Sequence, residues 1–331
     1  MIANFLNLGL ILIFLVSCGQ KSTENQEQSS SVNRPKLREL GRQLFSERAL
    51  SLDGTMSCRT CHEPRYAFTD RKNVPAGVTG LKLPRNSPQV LYAGMFTKFT
   101  WANPVLESLE EQVLVPLFGE SPPEQHIGPK EGAAYREVFA SESRQKLRLE
   151  AAAELTATAS DRTLVVSALA AYVRSLSPFS SPYDRYLAGD GSALSERQKT
   201  GLQLFNGKAS CAACHSGPLF NGQSWNESRQ AWSPNIFDRN GLSEQKRSIN
   251  EPLGLAEFTQ NLGDWNKFRV PSLRNVAQTA PYLHDGSRPE LSRLLDEYNQ
   301  ARNLNLNDDE IEAIKVFLES LSDPIATLME L

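Results

Sequence analysis

Cys58-Arg-Thr-Cys61-His62 and Cys211-Ala-Ala-Cys214-His215 decide how this chain is read. Each places two thiols three positions apart with an imidazole directly behind them. Two such thiols can add to the two vinyl groups of one haem while the adjacent histidine reaches the iron, so two covalent haem c groups are expected. The chain has five cysteines, and the fifth is Cys18. Other uses of these cysteines fit worse. A zinc site made from both pairs would have to bring together two distant segments and leave both histidines idle. Redox disulfides have no need of a histidine after each pair.

Working outward, the surroundings of the two motifs repeat. Gly41-Arg-Gln-Leu-Phe45 precedes the first and Gly201-Leu-Gln-Leu-Phe205 the second, while Ala67-Phe-Thr-Asp70 and Leu219-Phe-Asn-Gly222 follow them. The duplication predicts two related haem domains. Their elements are helical: Leu164 to Leu176 is apolar at helical spacing, and Ser195 with Gln198 makes a capping-box start for a helix reaching Leu204. Asn307 with Glu310 starts another, with Ile311, Ile314, Phe317, Leu318 and Leu321 on one face. No run of alternating strands appears, so the fold class is mostly α. Gly189-Asp-Gly-Ser192 interrupts the pattern and divides the chain into domains at 35–190 and 191–331.

The 331 residues, 40% hydrophobic and 22% charged, suit two domains of about 150 residues each. A formal charge of −3 without a Lys/Arg-rich run leaves no basic field for phosphates, and no nucleic-acid partner is expected. Leu8 to Val16 is apolar but shorter than the roughly 20 residues of a membrane span. Leu15-Val-Ser-Cys18 resembles the lipobox of bacterial lipoproteins, although no Lys or Arg precedes the apolar run. Residues 1–18 are thus expected to be a lipoprotein signal peptide, with Cys18 the lipid-bearing residue and 19–34 a polar, flexible tether. The expected location is the periplasm, lipid-anchored, with Gly19 after the cysteine pointing to the outer membrane.

Further stretches fall in one order: Leu52-Asp-Gly-Thr-Met-Ser-Cys58, Arg85-Asn-Ser-Pro88, Trp101-Ala-Asn-Pro104, Leu109-Glu-Glu-Gln112 with Pro116-Leu-Phe-Gly119, Ser181-Pro-Tyr-Asp-Arg185, Val270-Pro-Ser-Leu-Arg-Asn275 and Thr279-Ala-Pro-Tyr-Leu-His-Asp-Gly286. From Leu40 to Leu321 the chain resembles the bacterial di-haem cytochrome c peroxidase superfamily, and within it the MauG and MbnH type of di-haem enzyme. The resemblance implies two mostly α-helical, cytochrome c-like domains with one haem each, meeting at an interface.

It also implies roles. His62 and His215 are the ligands fixed by their motifs. Conventional members carry a second His ligand shortly after the first motif, released when the other haem is reduced; between His62 and His126 this sequence has none. The first iron is therefore expected to stand open to hydrogen peroxide in its resting ferric state. By similarity its open face holds Gln112 and Glu124, although the usual Glu-Met reads Glu124-Gln125 here and Glu120 is a nearby competitor. A carboxylate suits the task of moving a proton between the two peroxide oxygens, and a dry pocket would raise its pKa from about 4.3 so that it also returns the proton. Taken alone, either Glu reads as a solvated loop charge. At the second haem, the position of the usual Met ligand is Tyr298, and none of the four Met lies between Met95 and Met329. A phenolate favours ferric over ferrous iron, whereas a thioether raises the potential; a buried core tyrosine is the plainer alternative. Trp101 matches a tryptophan between the haems that relays an electron hole. The Asn86 side chain and the Thr279 and Pro281 carbonyls match ligands of one calcium ion.

The activity so implied is a peroxide-dependent oxidoreductase whose shared high-valent state oxidises a partner protein's side chain, tryptophan in related enzymes. Two rivals stand beside it: a conventional cytochrome c peroxidase drawing electrons from a small redox protein, and a non-enzymatic di-haem electron carrier. His126 and His284 have no assigned role.

Overall fold

A computed structural model describes residues 34–156, 158–242 and 253–331, so Cys18, the signal sequence and nearly all of the tether lie outside the described residues. In chain order the helices are α1 (Pro35–Leu44), α2 (Cys58–Cys61), α3 (Leu109–Phe118), α4 (Glu131–Val138), α5 (Glu142–Ala153), α6 (Asp161–Ser175), α7 (Pro182–Leu187), α8 (Glu196–Asn206), α9 (Ala256–Thr259), α10 (Leu291–Ala301), α11 (Asp308–Glu319) and α12 (Ile325–Glu330). Among the described residues, strands are confined to two antiparallel two-residue ribbons, β1 (Trp225–Asn226) with β2 (Ala231–Trp232) and β3 (Phe237–Asp238) with β4 (Phe268–Arg269). Ribbons this short have no alternation for sequence to display.

The repeated Gly-x-Gln-Leu-Phe segment is a helix crossing. A Cβ on Gly41 would lie 1.9 Å from the carbonyl oxygen of Ala168, where α1 meets α6; one on Gly201 would lie 1.9 Å from that of Ala313, where α8 meets α11. Only a residue without a side chain lets the backbones approach so closely. The phenylalanine four residues on closes each crossing, Phe45 against Tyr172 (5.2 Å between centroids) and Phe205 against Phe317 (5.4 Å). The capping boxes are present: Ser195 Oγ accepts from the Gln198 N–H (3.2 Å) and Asn307 Oδ1 from that of Glu310 (2.9 Å).

Two hydrophobic clusters surround the crossings. The first holds Leu40, Leu44, Phe68, Tyr92 and Leu169; the second holds Phe205, Phe220, Leu294, Ile314 and Phe317. The chain interleaves them. Tyr183 of α7, ahead of the exposed Gly189–Ser192 turn, packs edge-on against Phe220 and Phe317 of the second cluster, while Leu328 of α12 is buried in the first.

Buried charge binds the seam. Asp323 Oδ2 accepts from Tyr92 Oη and Asn275 Nδ2, and Oδ1 from the Ser180 N–H (2.7 Å). Arg274, 1% exposed, donates to the Pro218 carbonyl (2.7 Å) and to Asp184 (2.9 Å), with its guanidinium 4.6 Å from the centre of the Phe179 ring. Removing one partner of such a buried pair strands the other charge, at about 3–5 kcal/mol.

Candidate active site

The histidine of each attachment motif is held by backbone carbonyls. His62 Nδ1 lies 3.0 Å from the Phe68 oxygen and His215 Nδ1 2.8 Å from that of Phe220. Both phenylalanines sit in the left-handed region, at φ 59° and 51°, and both belong to the repeated aromatic turn. With Nδ1–H donated, Nε2 keeps its lone pair, as a metal-binding imidazole requires. Cys58, Cys61, Cys211 and Cys214 are unpaired thiols. The two pairs line different cavities, which excludes a four-cysteine site.

The first cavity, about 500 Å3, is lined by Cys58, Cys61, His62, Trp101, Gln112, Glu120 and Glu124. Helix α3 carries Gln112 and starts at the Ser108–Glu111 capping box. After α3 the chain doubles back, with Ile127 N–H on the Leu117 carbonyl (2.7 Å) and Val78 N–H on that of Glu124 (2.7 Å). The return is close: a Cβ on Gly77 would meet the Pro123 carbonyl oxygen at 1.9 Å. This places Glu124 in the cavity with Gln112. Burial raises the Glu124 pKa above the ordinary carboxylate value, whereas Glu120 is exposed. Gln112 Oε1 is buried with no hydrogen-bond partner among the described residues. His126 is absent from this lining; its Nδ1 is 3.2 Å from the Gly119 carbonyl oxygen.

The second cavity, about 250 Å3, gathers Cys211, Cys214, His215 and Tyr298 with Asn86, Thr279, Pro281 and His284. Tyr298 projects from α10. Burial pushes its phenol up to about 12, opposed by Arg302, whose guanidinium lies 5.8 Å from the ring centre. His284 stacks on Phe268 at 3.7 Å. The Asn86 amide nitrogen donates to the carbonyls of Lys72 (2.8 Å) and Asn73 (3.2 Å).

Trp101 lines both cavities. Its Nε1–H donates to the Asn86 carbonyl (2.8 Å), and its own carbonyl accepts the Arg269 N–H (2.8 Å). Sequence reasoning missed two lining residues. Gln89 borders both cavities with Oε1 buried and unpartnered among the described residues, and Arg269 borders the second. Neither stands out in sequence, since a lone Gln or Arg reads as surface.

Two cysteine sulfurs, a buried imidazole and an adjoining cavity recur twice, and this donor set fits two haem c groups. Residues 35–192 match the di-haem cytochrome c peroxidase family. Over 313 residues, 87% of this chain and 78% of the relative, the sequence is 33% identical to cytochrome-c peroxidase IdrP1 of Pseudomonas sp. (strain SCT). The chain belongs to the di-haem cytochrome c peroxidase family. Like other members of that family it is a mostly α-helical oxidoreductase with two haem c groups, acting with hydrogen peroxide and with a redox protein or protein substrate. Membership sets aside the bare electron carrier. This di-haem cytochrome c peroxidase family member is also 31% identical, over 272 residues covering 78% of it and 67% of the relative, to methylamine utilization protein MauG of Methylorubrum extorquens. The crystal structure of a MauG-like protein associated with microbial copper homeostasis superposes with a TM-score of 0.82 at 32% identity, covering 90% of this chain and 93% of that one.

Proposed function

We propose that this enzyme uses hydrogen peroxide to oxidise a side chain, tryptophan by preference, on a separate partner protein. One observation carries the reading: Tyr298 lines the second cavity with His215, and among the described residues no methionine lines either cavity. The haems, when bound, supply the iron that takes peroxide and stores its oxidising equivalents. The protein supplies proton handling and direction. Glu124, with its raised pKa, takes a proton from one peroxide oxygen and returns it to the other, so that water can leave. The unpartnered Gln112 Oε1 is an acceptor that orients the same protons. Trp101, set against both cavities, offers an oxidisable indole between them, and Tyr298 offers a phenol oxygen that the charge of a bound iron would deprotonate, favouring the oxidised metal. Asn86, Thr279 and Pro281, which share one lining, are proposed to hold a calcium ion, and export with lipid attachment at Cys18 is proposed from the leader sequence. The rival reading, a conventional peroxidase drawing electrons from a small redox protein, is favoured by relatives bearing that name.

Adding peroxide to the fully ferric holoprotein tests the choice. A prompt, long-lived oxidised spectrum without added reductant is expected. A requirement for prior one-electron reduction would sink the proposal in favour of the conventional peroxidase.

A further inference from the structure

Arg269 is 2% exposed, and no carboxylate pairs with it among the described residues. Three of its donors are used on one short segment. Nε–H reaches the Thr100 carbonyl (3.0 Å), Nη2 reaches that of Phe99 (3.4 Å), the backbone N–H holds that of Trp101 (2.8 Å), and the guanidinium lies 5.0 Å from the centre of the Phe96 ring. The remaining nitrogen, Nη1, is buried without a hydrogen-bond partner among the described residues. Arg269 also lines the cavity of Cys211, Cys214 and His215.

Neutral carbonyls and a ring face solvate a cation but leave its charge, and an uncompensated buried charge costs several kcal/mol. Escape by deprotonation is closed. Burial pushes the guanidinium down only to about 10, so it is charged at neutral pH. Asp238, the carboxylate in the same lining, accepts the Arg239 N–H (2.8 Å) and makes no ion pair with Arg269. The missing partner must therefore be an anion that arrives with whatever fills the cavity. Haem brings two carboxylates on its propionate arms.

We propose that Arg269 is the counter-ion of a propionate of the second haem, held through Nη1, so that one guanidinium fixes both that haem edge and the Trp101 segment. Arg269 is thus a positioning residue. The assignment rests on haem c at the second site and is independent of which substrate the enzyme oxidises.

Spectroelectrochemical titration of the holoenzyme tests it. Removing the cation stabilises ferric iron, so Arg269→Gln lowers the reduction equilibrium of the second haem about tenfold, or ~59 mV for one electron, and Arg269→Lys recovers most of the loss. The wild-type midpoint stays constant as chloride or acetate is varied. A midpoint that follows those anions shows that a solvent anion occupies the place and overturns the assignment, as does an Arg269→Gln enzyme with both midpoints unchanged. Should the Gln variant not fold, resonance Raman spectra decide between wild type and the charge-keeping Lys variant. The propionate bending bands of the second haem are expected to shift, and identical spectra overturn the proposal.

Discussion

In the first half, Gly41 lets α1 close on Ala168 and the Phe68 carbonyl takes His62; in the second, Gly201 lets α8 close on Ala313 and the Phe220 carbonyl takes His215. These supports match to within 0.2 Å in the histidine contact. The remaining linings meet at Gln89 and Trp101, which border both cavities, and differ in their reactive groups. A returning loop brings a half-buried carboxylate and helix α3 an amide to the first cavity, while α10 brings a phenol to the second. Duplication preserved what any covalent haem needs and left free the residues that decide what the iron does. The two sites are therefore one scaffold carrying two different sets of side chains.

That contrast can be broken most sharply at Glu124. Glu124→Gln is expected to slow the peroxide reaction by about 10²–10⁴, the usual worth of a positioned proton-transfer group, while Glu120→Gln changes it little; stopped-flow mixing reads both. A raised pKa means the base form exists only above that value, so wild-type kcat/KM falls with acid at a pH above 4.5, and the Gln variant loses this limb. The shared scaffold is tested next. Gly41→Val and Gly201→Val each force a side chain into a carbonyl 1.9 Å away, and each should cost ~3 kcal/mol or more by denaturant titration; if one is harmless, the two crossings are not equivalent. Tyr298→Met should raise the midpoint of the second haem by tenfold or more in its reduction equilibrium, the direction expected when thioether replaces phenolate, and should abolish protein-substrate oxidation in favour of simple peroxide turnover. An unchanged midpoint would place Tyr298 in the wall and not on the iron. The smallest effect separates the halves at their helix starts. Ser195 caps α8, whereas Arg34 before α1 makes no side-chain cap, so Ser195→Ala should cost ~1 kcal/mol and Arg34→Ala almost nothing.

The haem motifs, the repeat and the capped helices were legible because each is a local pattern, read within a few residues. The Gly41 and Gly201 crossings were visible only as repetition, since sequence names no partner helix. Tyr92 with Asp323 and Arg274 with Asp184 left no signal: pairs far apart along the chain have no period. Glu124 and Glu120 could not be separated in sequence because four residues of loop do not declare which side chain turns inward. Arg269 was invisible for a related reason, since a buried cation and a surface one are spelled alike.

The clasp made by α12 has a practical outcome. Leu328 completes the first cluster, and α12 rests on the Pro64–Tyr66 turn that leads to Phe68, the residue whose oxygen steadies His62. A protease that nicks the exposed Gly189–Ser192 turn would cut one strand of an interlocked pair, leaving two fragments that travel together through gel filtration. Domain-by-domain expression, the usual way to study one haem apart from its neighbour, would strip the first site of its far-end brace.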